Sequence, residues 1–130
     1  MQQLTHATLE TYLTRLLGTA VKCRSVTPLG DTDDPDDEKG YGYGVPIRID
    51  YTTDDAPKSS TSSVVLHTMK PGPFGHEHRA DRAAEWIWSH DAFDKLPRHV
   101  RSLDLGALTI DSGQPVSLKH VGEFFILTEY

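Results

Sequence analysis

The sequence predicts an α+β domain: a five-stranded, mainly antiparallel sheet with one helix on a face and a further helix at the N-terminus. Three observations carry this expectation. Short runs of period-two apolar alternation recur along the chain, two stretches carry helical periodicity, and the order of elements reads as antiparallel hairpins with one helix on a face.

The first helix is predicted over residues 4–17. Leu9, Tyr12, Leu13, Leu16 and Leu17 fall at i, i+3, i+4, i+7 and i+8, one apolar stripe, with Thr5 or Thr8 to cap the start and Gly18 to end it. In TAVKCRSVTPL, Val21 and Cys23 alternate with Lys22 and Arg24, as in a half-buried strand. GVPIRIDY has the cleanest alternation of the chain, with Val45, Ile47, Ile49 and Tyr51 on one side and Pro46, Arg48 and Asp50 on the other. Pro46 cannot donate to a ladder and belongs at the strand start or on an edge. DDAPKSS is a turn and SVVLHTM a third strand.

A second helix follows Pro-Gly-Pro. Ala80, Ala83, Ala84, Ile87 and Trp88 are its expected buried stripe, and Glu77, Asp81 and Glu85 form an acidic row beside it. HVRSLDLGALTI reads as a strand with a bulge at Gly106, Asp111–Gln114 as a turn, and VSLKHV as a weak partner. The unbroken apolar run Phe124–Leu127 is expected to be a strand covered on both faces. The chain stops three residues later, so the expectation is a piece of something longer.

The 130 residues suit one domain able to bury its own core. No stretch approaches the roughly 18 apolar residues of a membrane span, and the first ten residues lack the pattern of a secretory signal. A single cysteine, Cys23, cannot form an internal disulfide, which fits a reducing cytoplasm. A net charge of −6 argues against a nucleic-acid surface.

Three stretches are candidates for chemistry. Gly40, Gly42 and Gly44 lie between two predicted strands, where glycines let a backbone approach a phosphate and offer it N–H groups. A flexible hairpin explains the same residues, and the preceding acidic run from Asp31 to Glu38 opposes phosphate unless a cation intervenes. That run is no EF-hand loop, because Pro35 takes its fifth position and no glycine its sixth. His76, His78 and Asp81 bring metal-ligand types together, although i and i+2 diverge on a helix; capping of the helix start is the competing explanation. Glu85, mid-helix after the third strand, is either a solvated carboxylate or the partner of a cationic group.

Taken in order, KGYGYGVPI, VVLHTMKPGPFGHEHRADRAAEW, LPRHVRSLDLGAL and GEFFILTEY resemble the amino-terminal lobe of the aminoglycoside phosphotransferase and choline-kinase-like group of small-molecule kinases. The likeness spans about residues 20–130 and one lobe only. It implies a nucleotide-binding lobe of a cytoplasmic, ATP-dependent transferase. Gly40, Gly42 and Gly44 would lie over the phosphates, with Val45 and Val65 against the adenine. His67 would stand where such kinases carry a lysine, Glu85 would match the helix carboxylate, Leu127 would back the pocket, and Glu129 would belong to a hinge with Thr128 and Tyr130.

Histidine in the lysine position is a departure. Strand parity sets Lys70 on the face opposite Val65 and His67, so Lys70 serves only if the strand ends or bulges before it. The H-x-D-x-x-x-x-N loop and the metal-binding aspartate of such kinases belong to the other lobe and do not occur here. The resemblance therefore implies ATP with Mg²⁺ held from the absent lobe, no catalytic residue in this chain, and no phosphate transfer by it alone. It also implies apolar surface near Phe124 and Leu127, for which a homodimer is one expected cover. A stand-alone binding module, with metal at His76, His78 and Asp81, is the alternative.

Overall fold

A computed structural model describes residues 4–30 and 44–130. The fold is α+β: α1 (His6–Leu17), β1 (Val21–Pro28), β2 (Ile47–Thr53), β3 (Ser62–Leu66), α2 (Arg79–Phe93), β4 (Gly106–Leu108) and β5 (Pro115–Ser117). The order of elements follows the sequence expectation, but the strands divide between two sheets. β1, β2 and β3 form an antiparallel meander, and β4 and β5 a separate antiparallel pair.

α1 begins where its sequence says it should. The Thr5 hydroxyl accepts the Thr8 N–H at 3.2 Å while Thr8 Oγ1 accepts the Thr5 N–H at 3.1 Å, a reciprocal cap that satisfies N–H groups left over at a helix start. Gly18 ends the helix in the left-handed region (φ 70°), a conformation that side chains disfavour. The predicted stripe then delivers Leu9 and Leu13 into the core against Val21, Cys23, Ile49 and Tyr51, with Ile47, Val64 and Leu66 packed around them. This core lies between α1 and one face of the meander.

Polar groups fix the docking. Glu10 Oε1 accepts the Cys23 N–H at 2.9 Å, and Thr14 Oγ1 accepts the Val21 N–H at 3.1 Å. Two acceptors four apart on a helix thus meet two donors two apart on the outer edge of β1, and Lys22 Nζ adds an ion pair to Glu10 at 3.7 Å. The pairing with β2 slips between Cys23 and Ser25, a bulge at Arg24. The second sheet is tied to the same helix. Asp104 accepts from Tyr12 Oη at 2.5 Å and from Ser117 Oγ at 2.9 Å, and burial, followed by that carboxylate, pushes the Tyr12 phenol pKa up.

Three expectations need correction. Phe124–Leu127 is not a covered strand: these residues lie outside every helix and strand and are 61–90% exposed. An apolar run implies two-sided burial only when neighbouring strands are there to supply it. α2 buries none of its residues, and its expected stripe is rotated. Arg82, Glu85, Trp86, Ile87, Ser89, His90, Ala92 and Phe93 are half-covered; of the expected stripe only Ile87 is among them, whereas Ala80, Ala83, Ala84 and Trp88 are exposed. Alanines at helical spacing define a stripe too weak in apolar area to choose the packed side. Finally, the long strand expected from residue 99 onward shrinks to Gly106–Leu108.

Leu13 is 2% exposed and belongs to the buried core cluster. Truncation to alanine should destabilise the fold by about 3 kcal/mol, by loss of transfer free energy and creation of a cavity. Urea unfolding of Leu13→Ala against the parent checks this.

Candidate functional site

With α1 on one face of the meander, the other face is open. Register determines what it carries. Ile47 pairs with Leu66 and Ile49 with Val64 on the core side, so Arg48 and Val65, together with Asp50 and Ser63, belong to the open side. Ser25 pairs with Asp50 and joins them.

Asp50 is the hub of this face and spans all three strands. Its Oδ1 accepts from Ser63 Oγ of β3 at 2.5 Å and from Arg48 Nε at 2.9 Å, and its Oδ2 from Ser25 Oγ of β1 at 2.9 Å. Arg48 Nη2 also donates to Ser63 Oγ at 3.2 Å. Hydrogen bonds from Ser63, Ser25 and Arg48 hold the Asp50 carboxyl below its usual range. Alternation alone marked Arg48 and Asp50 as outward-facing; cross-strand register, which alternation does not specify, gathers them with Ser25 and Ser63.

The glycine-rich stretch joins two strands that are antiparallel neighbours, as expected, and Leu29 N–H extends their ladder to Pro46 O at 2.8 Å. Gly40 and Gly42 lie outside the described residues. Gly44 N–H donates to Thr68 O at 2.7 Å, and a Cβ there would stand 2.9 Å from that oxygen and collide with the Thr68 hydroxyl. Close backbone approach therefore accounts for this glycine without a ligand. Val45 follows it, ahead of β2, and is exposed.

β3 ends at Leu66, placing His67 and Lys70 just beyond the strand. The His67 ring meets the Trp86 ring of α2, centroids 6.2 Å apart and tilted by 46°. Trp86 is the residue that sequence reasoning missed; a 3.6-residue period running through Arg82, Trp86, Ser89 and Phe93 was the available signal. Glu85 is half-covered on the adjoining part of α2, and neither it nor Lys70 has an ion-pair partner among the described residues. No Cα of α2 lies within 8 Å of a Cα in another described helix or strand, so side chains and the preceding link connect it to the sheet. In that link Arg82 Nη1 donates to His76 O at 2.8 Å and to Glu77 O at 3.0 Å. Leu127 and Glu129 lie on the exposed C-terminal segment.

His78 caps α2, and its N–H donates to Asp81 Oδ2 at 3.2 Å. That engages Asp81 in the helix start, the competing explanation for the His-Glu-His motif. Among the described residues no three His, Cys, Asp or Glu side chains are grouped to hold a metal ion, and no helix is long and apolar enough to cross a membrane.

Comparison with protein-family models, curated proteins and solved structures finds no match to this chain.

Because its folded pKa is lowered, Asp50 stabilises the fold above the ordinary aspartate value of 3.8. That contribution is lost as pH falls towards the lowered value. Asp50→Asn should therefore flatten the acid limb of the stability curve, read by urea unfolding from about pH 6 to about pH 2.

Proposed function

We propose that the chain is the nucleotide-binding amino-terminal lobe of a small-molecule phosphotransferase, of the kind that the aminoglycoside phosphotransferase and choline-kinase-like enzymes exemplify. The observation that carries this reading is the antiparallel β1–β2 pair closed by the glycine-rich stretch, with β3 beside it delivering His67 to Trp86 of α2. A strand–glycine loop–strand followed by a strand and a helix is the order in which protein kinases cover ATP phosphates.

The five-stranded kinase-like layout belongs to this proposal. β1, β2 and β3 would be its first three strands, α2 its αC-like helix, and Phe124–Leu127 the strand leading to a hinge at Glu129. Val65, 42% exposed on the open face, offers an apolar platform for a base. His67 and Lys70 offer donors for phosphate, and Glu85 the carboxylate that orients one of them. The Asp50 carboxylate on the same face is hydrogen-bonded to Arg48, which reduces its repulsion of a phosphate. ATP supplies the transferable phosphoryl group, with Mg²⁺ coordinated by residues of the other lobe. This chain binds and orients; it carries no base for the transfer.

Titration with MgATP by calorimetry tests the reading. Saturable binding that His67→Ala weakens about tenfold, equivalent to ~1.4 kcal/mol, is the expected result. Absence of binding, or binding indifferent to His67 and equally strong for inorganic triphosphate, contradicts it.

A further inference from the structure

The two edges of the meander are treated differently. The outer edge of β1 is managed: Glu10 and Thr14 accept its Cys23 and Val21 N–H groups, and a bulge interrupts it at Arg24. The outer edge of β3 has no such device. Among the described residues, no backbone group of Ser62–Leu66 bonds to anything except β2. The strand Ser-Ser-Val-Val-Leu also lacks the lysine, proline or bulge with which natural edges discourage pairing.

The same chain holds an unpaired segment of matching character. Phe124, Phe125, Ile126 and Leu127 are 61%, 90%, 86% and 89% exposed, and their backbone bonds to nothing among the described residues. Extended, they present Phe124 and Ile126 to one side and Phe125 and Leu127 to the other. As an added strand they would extend both the Val64–Leu66 side and the Val65 side of β3.

Charge is complementary as well. Exposed Glu123 and Glu129 flank the segment, while exposed Lys58 and Lys70 flank β3. Within one chain the two elements share no backbone hydrogen bond.

We propose that Phe124–Leu127 of one chain adds as a fourth strand to the β3 edge of a second copy, reciprocally, giving a twofold dimer. Each copy has one donor and one acceptor, so two copies satisfy both and the assembly closes. Main-chain hydrogen bonds supply the pairing and alternate side chains its register. This inference stands on the two unpaired elements and not on nucleotide binding: where the five-stranded layout holds, Phe124–Leu127 supplies its strand to the sheet of the second copy, and failure to bind ATP would leave the dimer intact.

Light scattering across a wide concentration range, with hydrogen exchange on the same samples, tests it. The full chain should show twice its 14.5 kDa mass, with slowed exchange at both Ser62–Leu66 and Phe124–Leu127. Ile126→Pro, at an exposed position outside every element, should return the monomer mass and release both protections without altering the circular dichroism of the folded chain. A monomer at every concentration overturns the proposal, including one whose β3 amides are protected because the segment folds back on its own chain. So does a dimer that Ile126→Pro leaves intact.

Discussion

The seating of α1 on β1 is the constraint from which the rest of the described fold follows. Leu9 and Leu13 supply its apolar part, each contributing on the order of 2 kcal/mol by burial. Their area alone would tolerate some sliding of the helix across the sheet. Glu10 and Thr14 remove that freedom, because their spacing on α1 matches the N–H spacing on the strand edge. With one face and one edge of the meander covered in this way, the opposite face and opposite edge remain to meet other molecules. Tyr12, on the same helix, reaches Asp104 and so anchors the β4–β5 pair as well.

What could be read in the sequence tracks how much information each segment carries locally. α1 was legible to within two residues at its start, because a threonine cap, a leucine stripe and Gly18 agree. β1, β2 and β3 were legible because alternation and turn residues agree, and Val21 and Cys23 face inward as their pattern requires. α2 was found as a helix but not oriented. Its stripe is mostly alanine, and tertiary contacts through Trp86 and His90 decide its covered side instead. Phe124–Leu127 was misread for a related reason: local apolarity records that a segment needs cover, not that the cover lies within the described chain.

The candidate site was legible in part. The sequence placed the glycine stretch between strands that prove to be antiparallel neighbours. It did not anticipate that Gly44 is required by Thr68 or that Trp86 meets His67. The Asp50 cluster escaped because it depends on register among three strands, which emerges only when the sheet is assembled. The open face that results is mixed: the apolar Val65 lies beside an ion-paired carboxylate, Asp50, whose hydrogen bonds cross the three strands.

In the proposed function the open face, and not the α1 face, receives the nucleotide. Mapping of amide chemical shifts during titration with MgATP addresses it most directly. Shifts should concentrate at Gly44, Val65, His67, Glu85 and Trp86, with Leu9, Leu13 and Cys23 unmoved. Shifts centred on α1 and the β4–β5 pair, with His67 and Trp86 silent, would contradict it.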